Sequence, residues 1–271
     1  MDLKNKGYVH GYAEREKLRL QDQASTLTDL LHSDTFYPEG SLVLEPGCGV
    51  GAQTVTLAER SPGAKLFSVD ISSVSVAEAE KKVREAGLNN VQFRQADIND
   101  LPFNKEYFDH IFVCFVLEHL KDPAKILGIL KEYLRPGGTI TVIEGDHGSA
   151  FFYPESEAAQ AAINFLSMIQ KNAGGNALIG RELYPLLKDA GYGEICVSPR
   201  MVYADGSRPE MVEGFTKKTF TAMIEGVREQ AITSHLIDPA VFEKGIADLY
   251  RTAEPDGVFC YTFFKAVARK V

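Results

Sequence analysis

The sequence predicts an α/β domain with a doubly wound, mostly parallel sheet. Short apolar runs alternate with amphipathic stretches through the first half, which is the pattern of βαβ units. A glycine-rich turn, Glu45-Pro46-Gly47-Cys48-Gly49-Val50-Gly51-Ala52, joins the first apolar run to the first amphipathic one. Phe108–Val116 is almost continuously apolar, as a central strand covered on both faces must be.

The elements follow in order. Glu14–His32 carries a helical stripe of Leu18, Leu27, Leu30 and Leu31. Ser41–Glu45 reads as the first strand, followed by the glycine turn and a helix to Arg60. Lys65–Val69 reads as the second strand, ending at Asp70. Ser72 or Ser73 can cap a helix that runs to Ala86 and stops at Gly87. Val91–Arg94 is a short third strand and Phe108–Val116 the fourth. Asp122-Pro123 supplies an N-cap with proline at the first helical position. That helix ends before Pro136-Gly137-Gly138, and Thr139–Glu144 is the fifth strand. Beyond it, Glu155–Asn172, Arg181–Ala190, Pro209–Ser234 and Pro239–Thr252 read as helices. Ile195–Tyr203 and Val258–Ala268 complete a set of seven strands.

No linker divides the chain, so residues 1–271 are expected to form a single domain. Within it we expect a helical lead-in over residues 1–35, a ligand-binding core over 36–148, and helical cap insertions at 149–180 and 205–255. The net charge of −8 and the absence of a basic run argue against a nucleic-acid partner. The longest apolar run, Ile111–Leu117, is too short to span a bilayer, and the N-terminus has no apolar signal segment. The expectation is a cytoplasmic protein, a monomer or homodimer, with no membrane association. Cys48, Cys114, Cys196 and Cys260 show neither C-x-x-C pairing nor zinc spacing, so we expect no metal and four free, buried thiols.

Candidate ligand-binding residues cluster at strand ends. Glycines at alternate positions let the backbone turn tightly and let a ligand approach where a Cβ would collide. The helix start behind them offers unpaired N–H groups. Asp70 lies nineteen residues after Gly51, at the end of the neighbouring strand. A carboxylate there can accept from both ribose hydroxyls of an adenosine; its competing role is to cap the next helix. Asp97, in Gln95-Ala96-Asp97-Ile98, can accept from an adenine amino group, with Ile71 and Ile98 as apolar plates; its competing role is an Asx turn. These residues favour an adenosine ligand without naming the reaction. A nicotinamide-dependent oxidoreductase stays open, since Ala52 is acceptable at the last position of G-x-G-x-x-G/A.

The segments LEPGCGVG (Leu44–Gly51), SVDIS (Ser68–Ser72), ADINDLPF (Ala96–Phe103), FDHIFVCFVLEHL (Phe108–Leu120) and LRPGGTITVIE (Leu134–Glu144) resemble, in order, those of class I S-adenosylmethionine (SAM)-dependent methyltransferases, in particular the ubiquinone/menaquinone-biosynthesis-type group. The resemblance implies a Rossmann-like seven-stranded sheet with a helical cap, SAM as cofactor and S-adenosylhomocysteine as product. It places Glu45 at the family's acidic position before the first glycine, Gly47 and Gly49 on the methionine part of SAM with Cys48 between them among the cofactor-binding residues, and Asp70 on the ribose, with Ile71 beside it as a cofactor contact. Ala96, Asp97 and Ile98 would hold the adenine, and the carbonyls around Cys114 and Phe115 would face the amino group. Tyr12 would cover the sulfonium, and Arg19 or Gln23 would meet the SAM carboxylate. Glu118-His119 belongs to a segment the family shares across different substrates, so His119 reads as structural.

The implied chemistry is in-line attack of a small-molecule nucleophile (O, N or C) on the SAM methyl. The enzyme mainly aligns the partners and excludes water. A base is needed only where the nucleophile loses a proton. Candidates lie in Glu144-Gly145-Asp146-His147-Gly148, with His147 the catalytic candidate and Asp146 a weaker one. Phe151, Phe152, Tyr153, Phe165, Met168, Phe215, Phe220 and Met223 could form cap core or line an acceptor pocket, and an aromatic or polyketide-like acceptor would suit such a pocket. A non-catalytic SAM-binding protein is the main alternative. A nicotinamide-dependent oxidoreductase is the lesser alternative, with the Asp97 feature against it, and an arsenite-type methyltransferase would need grouped cysteines.

Overall fold

The computed structural model describes residues 26–271. Helix α1 occupies residues 26–32. There follow β1 (Leu42–Pro46), α2 (Thr54–Arg60), β2 (Lys65–Asp70), α3 (Ser73–Glu85), β3 (Val91–Gln95) and β4 (Phe108–Cys114). After a 3₁₀ turn at Leu117–His119 come α4 (Pro123–Tyr133), β5 (Leu134–Tyr153) and α5 (Glu157–Asn172). Next are a second 3₁₀ turn (Ile179–Glu182), α6 (Leu183–Asp189) and β6 (Gly193–Asp205). The segment to β7 (Val258–Arg269) is helical: α7 (Pro209–Met211), a π-helix (Val212–Thr221), α8 (Ala222–Glu225), α9 (Arg228–Ser234) and α10 (Pro239–Arg251).

The strands form one seven-stranded sheet in the order β3-β2-β1-β4-β5-β7-β6. The first five are parallel, and β7 runs antiparallel to both β5 and β6. The expected doubly wound, mostly parallel sheet is therefore present. Its local signals hold as well: Ser72 caps α3 by accepting from Ser75 N, and Asp122 caps α4 by accepting from Lys125 N.

The sheet is covered on both faces because successive side chains in a strand point to opposite sides. Val43 and Phe112 join one apolar layer with Leu27, Leu31, Leu57, Leu166 and Leu249. Their neighbours Leu44, Ile111 and Val113 join the other, with Leu127, Leu130, Leu183 and Leu187. Burying each such side chain contributes about 1.5–3 kcal/mol. These layers fix the strand tips in one row.

Three expectations are corrected. The fifth strand does not stop at Glu144: β5 continues to Tyr153 because β7 pairs with it along both halves, from Thr139↔Arg269 to Tyr153↔Val258. A register shift between Asp146 and Phe151 absorbs the glycine-interrupted part. The segment Pro209–Ser234 is not one continuous α-helix. Thr219 Oγ1 donates to Gly214 O at 2.7 Å, a side-chain bond that competes with the ordinary backbone ladder inside the π-helix. Finally, the four cysteines are free, but Cys196 is exposed, because it sits on β6 at the sheet edge.

Candidate functional site

The glycine loop leaves β1 with Gly47, Gly49 and Gly51 all in the left-handed region, at φ 76°, 51° and 77°. Gly47 N and Cys48 N donate to Val69 O at 2.7 and 3.0 Å, tying the loop to β2. The glycines serve different ends. A Cβ on Gly47 would lie 2.6 Å from Val116 Cγ2, and one on Gly51 would lie 2.9 Å from the Ala79 backbone in α3. A Cβ on Gly49 would meet nothing within 4 Å, so this turn of the loop faces open space.

Glu45 lies buried at the base of the loop. Its Oε2 accepts from Thr54 Oγ1 at 2.7 Å and Ser68 Oγ at 2.6 Å, which joins β1, α2 and β2. Burial pushes its carboxyl up to about 7. Asp70 ends β2 with Oδ2 accepting from Gly49 N and Oδ1 from Ser72 N, each at 2.9 Å. Burial raises its pKa against the backbone N–H groups of Ser72, Gly49 and Ile71. The capping role that competed for Asp70 belongs to Ser72. A carboxylate has about four acceptor sites, so Asp70 keeps capacity for a ligand hydroxyl.

The β3 tip is fastened to the β2 tip. Ala96 N donates to Asp70 O at 2.9 Å, and Gln95 Nε2 donates to Ile71 O at 3.0 Å. Asp97 is exposed, and its Oδ1 accepts from both Asn99 N and Asn99 Nδ2 at 2.8 Å, so the Asx turn is formed. Of the two apolar plates, Ile71 is 62% exposed, whereas Ile98 packs against the second core layer. These groups thus form a contiguous row: glycine loop, Asp70 with Ile71, and Asp97.

Cys114 closes β4, and burial raises its thiol pKa well above the ordinary range. Phe115 follows with φ +57°, a strained conformation for a residue of its size. It is held by Phe115 N donating to Ile143 O at 2.9 Å and by its ring against Phe263, 5.5 Å between centroids. Val116 N and Leu117 N then donate to Glu144 Oε1 at 3.0 and 2.7 Å. The sequence named Glu144 only as the start of a candidate segment. A carboxylate closing an otherwise apolar strand is the signal that could have singled it out.

Asp146 and His147 lie on the β5 extension and are both buried. Asp146 receives Arg181 Nε and Nη2 at 2.7 and 2.8 Å and Gly148 N at 3.0 Å, so its oxygens are engaged. His147 Nδ1 lies 2.7 Å from the Tyr261 hydroxyl, and its ring meets Phe220 edge-on at 5.9 Å. Glu118 Oε2 accepts from Gln170 Nε2 at 3.0 Å, and His119 Nε2 stands 3.7 Å from Glu118 Oε1. Of the cap candidates, Phe165, Phe215, Phe220 and Met223 are core, while Phe151 and Tyr153 are exposed. Tyr12, Arg19 and Gln23 lie outside the described residues. Among the described residues no three His, Cys, Asp or Glu groups are set to hold a metal, and no helix is long and apolar enough to cross a membrane.

Residues 39–191 match the family model described as a methyltransferase domain. The chain belongs to this methyltransferase-domain family. The matched region contains the glycine loop, Asp70, Asp97 and the β5 segment through His147. The chain is 32% identical over 214 residues to an uncharacterised 37.1 kDa protein in a Streptomyces fradiae transposon, covering 78% of this chain and 61% of that protein. It is 26% identical over 239 residues to the 27-O-demethylrifamycin SV methyltransferase of Amycolatopsis mediterranei, covering 86% and 80%. The chain spans between 34% and 61% of the length of the first curated relatives it matches. Among solved structures, phosphoethanolamine N-methyltransferase 2 of Haemonchus contortus, bound to phosphomonomethylethanolamine and S-adenosylhomocysteine, superposes with a TM-score of 0.56 at 17% identity, covering 92% of this chain and 52% of that one. At that identity the likeness establishes the methyltransferase fold alone.

Proposed function

We propose that this chain transfers a methyl group from SAM to a small-molecule acceptor. The observation that carries the reading is the row of strand tips. Gly49 opens onto free space, and the Asp70 carboxylate bonded to Gly49 N stands beside it. A nucleoside fits such a row: the loop N–H groups and Asp70 take the methionine and ribose ends, and Ile71 with Asp97 takes the base. Asp97 retains acceptor capacity beyond its Asx turn. Tyr12 and Arg19 belong to the same proposal as contacts from the lead-in.

Within this reading His147 is the proton acceptor where the acceptor atom must lose one. It sits three residues beyond Glu144, on the extension of the strand that flanks β4. With Nδ1 protonated and donating to Tyr261, the basic lone pair lies on Nε2. The relative that acts on a demethylrifamycin favours a bulky acceptor over a protein tail. A monomer or homodimer in the cytoplasm completes the proposal.

Thermal unfolding with SAM, S-adenosylhomocysteine and NAD tests the cofactor. A ligand at 100 times its Kd adds about 2.7 kcal/mol to stability. A shift with NAD and none with SAM or its product ends the methyltransferase reading. Calorimetry of Asp70→Ala with S-adenosylhomocysteine is expected to show at least a roughly tenfold loss of affinity, about 1.4 kcal/mol. Unchanged affinity would remove Asp70 from the ribose.

A further inference from the structure

We infer that Glu144 is a positioning residue for the cofactor, setting the height of the turn on which the glycine loop rests. The inference builds on the reading that SAM binds at the β1–β3 tips. Three contacts make the connection. Glu144 Oε1, on β5, accepts from both Val116 N and Leu117 N. The Val116 side chain fills the place a Gly47 Cβ would need, 2.6 Å from Cγ2. Gly47 N is in turn fixed to Val69 O at 2.7 Å, on the far side of β1. One carboxyl oxygen thus reaches the loop between β1 and α2 across the intervening strand.

The turn needs such a hold. It begins at Phe115, whose φ of +57° persists only where neighbours over-determine it. The bond from Phe115 N to Ile143 O fixes one end of the turn, and Glu144 fixes the other. Removing the acceptor would leave the buried Leu117 N–H and the part-buried Val116 N–H without their partner.

The surroundings say what the carboxyl must be. Glu144 is fully buried, and its Oε2 has no hydrogen-bond partner among the described residues. It is faced by Glu118 from the 3₁₀ turn, by the Cys114 thiol from β4, and by Tyr261 from β7. Lys265, also on β7, is turned to Asp34, Thr35 and Leu31 O. Full burial and, after it, the nearby Glu118 carboxylate favour the protonated acid. A neutral acid binds the two N–H groups through Oε1 without an uncompensated charge, and a glutamine amide can do the same.

The test uses calorimetry with S-adenosylhomocysteine on the whole chain, together with amide hydrogen exchange without ligand. Glu144→Gln should bind within about twofold of wild type and keep Val116 and Leu117 protected. Glu144→Leu should weaken binding about tenfold or more and expose both amides to exchange. Val116→Ala should weaken binding several-fold, and Glu144→Leu with Val116→Ala should be little worse than Glu144→Leu alone, because both break one path. A folded Glu144→Leu that binds like wild type overturns the inference. So does weakened binding with both amides still protected. If Glu144→Leu does not fold, Val116→Ala decides: unchanged affinity overturns the path to Gly47. Wild type that fails to bind S-adenosylhomocysteine overturns the cofactor reading, a result no variant is needed to recognise.

Discussion

The tips of β1, β2 and β3 and the tips of β4, β5 and β7 lie in one row, yet they are built differently. On the first side the ligand-facing turns are held largely by backbone groups: Gly47 and Cys48 N–H on Val69 O, Ala96 N–H on Asp70 O, and one carboxylate spanning Gly49 and Ser72, with Glu45 bonded to Thr54 and Ser68 beneath them. On the second side buried side chains do the joining: Glu144 on the β4 turn, Arg181 on Asp146, and Tyr261 on His147. A backbone-built site serves a ligand part that never changes, and a side-chain-built site can be altered one residue at a time. This division matches a fixed cofactor and a variable acceptor.

The largest effect should come from the backbone-built side. Gly51→Val puts a β-branched residue at φ 77° and drives its Cβ to within 2.9 Å of the Ala79 backbone. Strain and overpacking together are expected to cost on the order of 3–5 kcal/mol, read as a lowered urea midpoint. Gly49→Ala meets no neighbour within 4 Å, so only its left-handed backbone is penalised, by about 1 kcal/mol. Equal losses at the two positions would break the argument that the loop glycines have separate jobs.

Next in size is a pH effect at two buried groups, His32 on α1 and Glu45 at the base of the glycine loop. Burial lowers His32 from its ordinary 6.5 to about 4, and burial raises Glu45 from its ordinary 4.5 to about 7. As pH falls from 6.5 to 4, the unfolded chain takes up the His32 proton first, so the contribution of His32 rises with pH across that window. Glu45 runs the other way: between pH 4.5 and 7 the folded chain holds the proton that the unfolded chain releases, so its contribution falls as pH rises. Each is worth about 3 kcal/mol over its window. Urea unfolding across pH should therefore give differences of opposite slope for wild type minus His32→Gln and wild type minus Glu45→Gln. Slopes of the same sign would mean that one of the two groups is solvated in the folded chain.

This contrast also explains what the sequence could disclose. The loop of Gly47–Gly51, the ends of β2 and β3, and the caps at Ser72 and Asp122 are local signals, and each was legible. Asp97 was legible as a pair of roles, and its Asx turn with Asn99 is now formed, with the adenine role still to be measured. The roles of Glu144, Arg181 and Tyr261 were not legible, since their partners lie 27, 35 and 114 positions away in the chain. The length of β5 was hidden for the same reason: it depends on β7, which arrives only after the helical segment. The π-helix was missed because the Thr219 bond to Gly214 O is a single side-chain contact that gives no periodic signal.

The smallest expected effect is the one that most sharpens the comparison. Tyr261→Phe deletes a hydroxyl that lies 2.7 Å from His147 Nδ1, inside a buried aromatic cluster with Phe215, Phe220 and Phe263. Losing one buried bond should lower stability by about 1–3 kcal/mol. The informative readout is ¹⁵N NMR of the His147 ring, which reports the tautomer directly. If His147 donates through Nδ1 to Tyr261, wild type shows the proton on Nδ1, and the Phe variant shifts it toward Nε2. If instead Tyr261 donates, Nε2 already carries the proton in wild type and cannot accept another. That second spectrum would strip His147 of its proposed role as proton acceptor while leaving the cofactor side of the row untouched. The two halves of the site can therefore be refuted separately, as expected if their geometry is set by different kinds of bond.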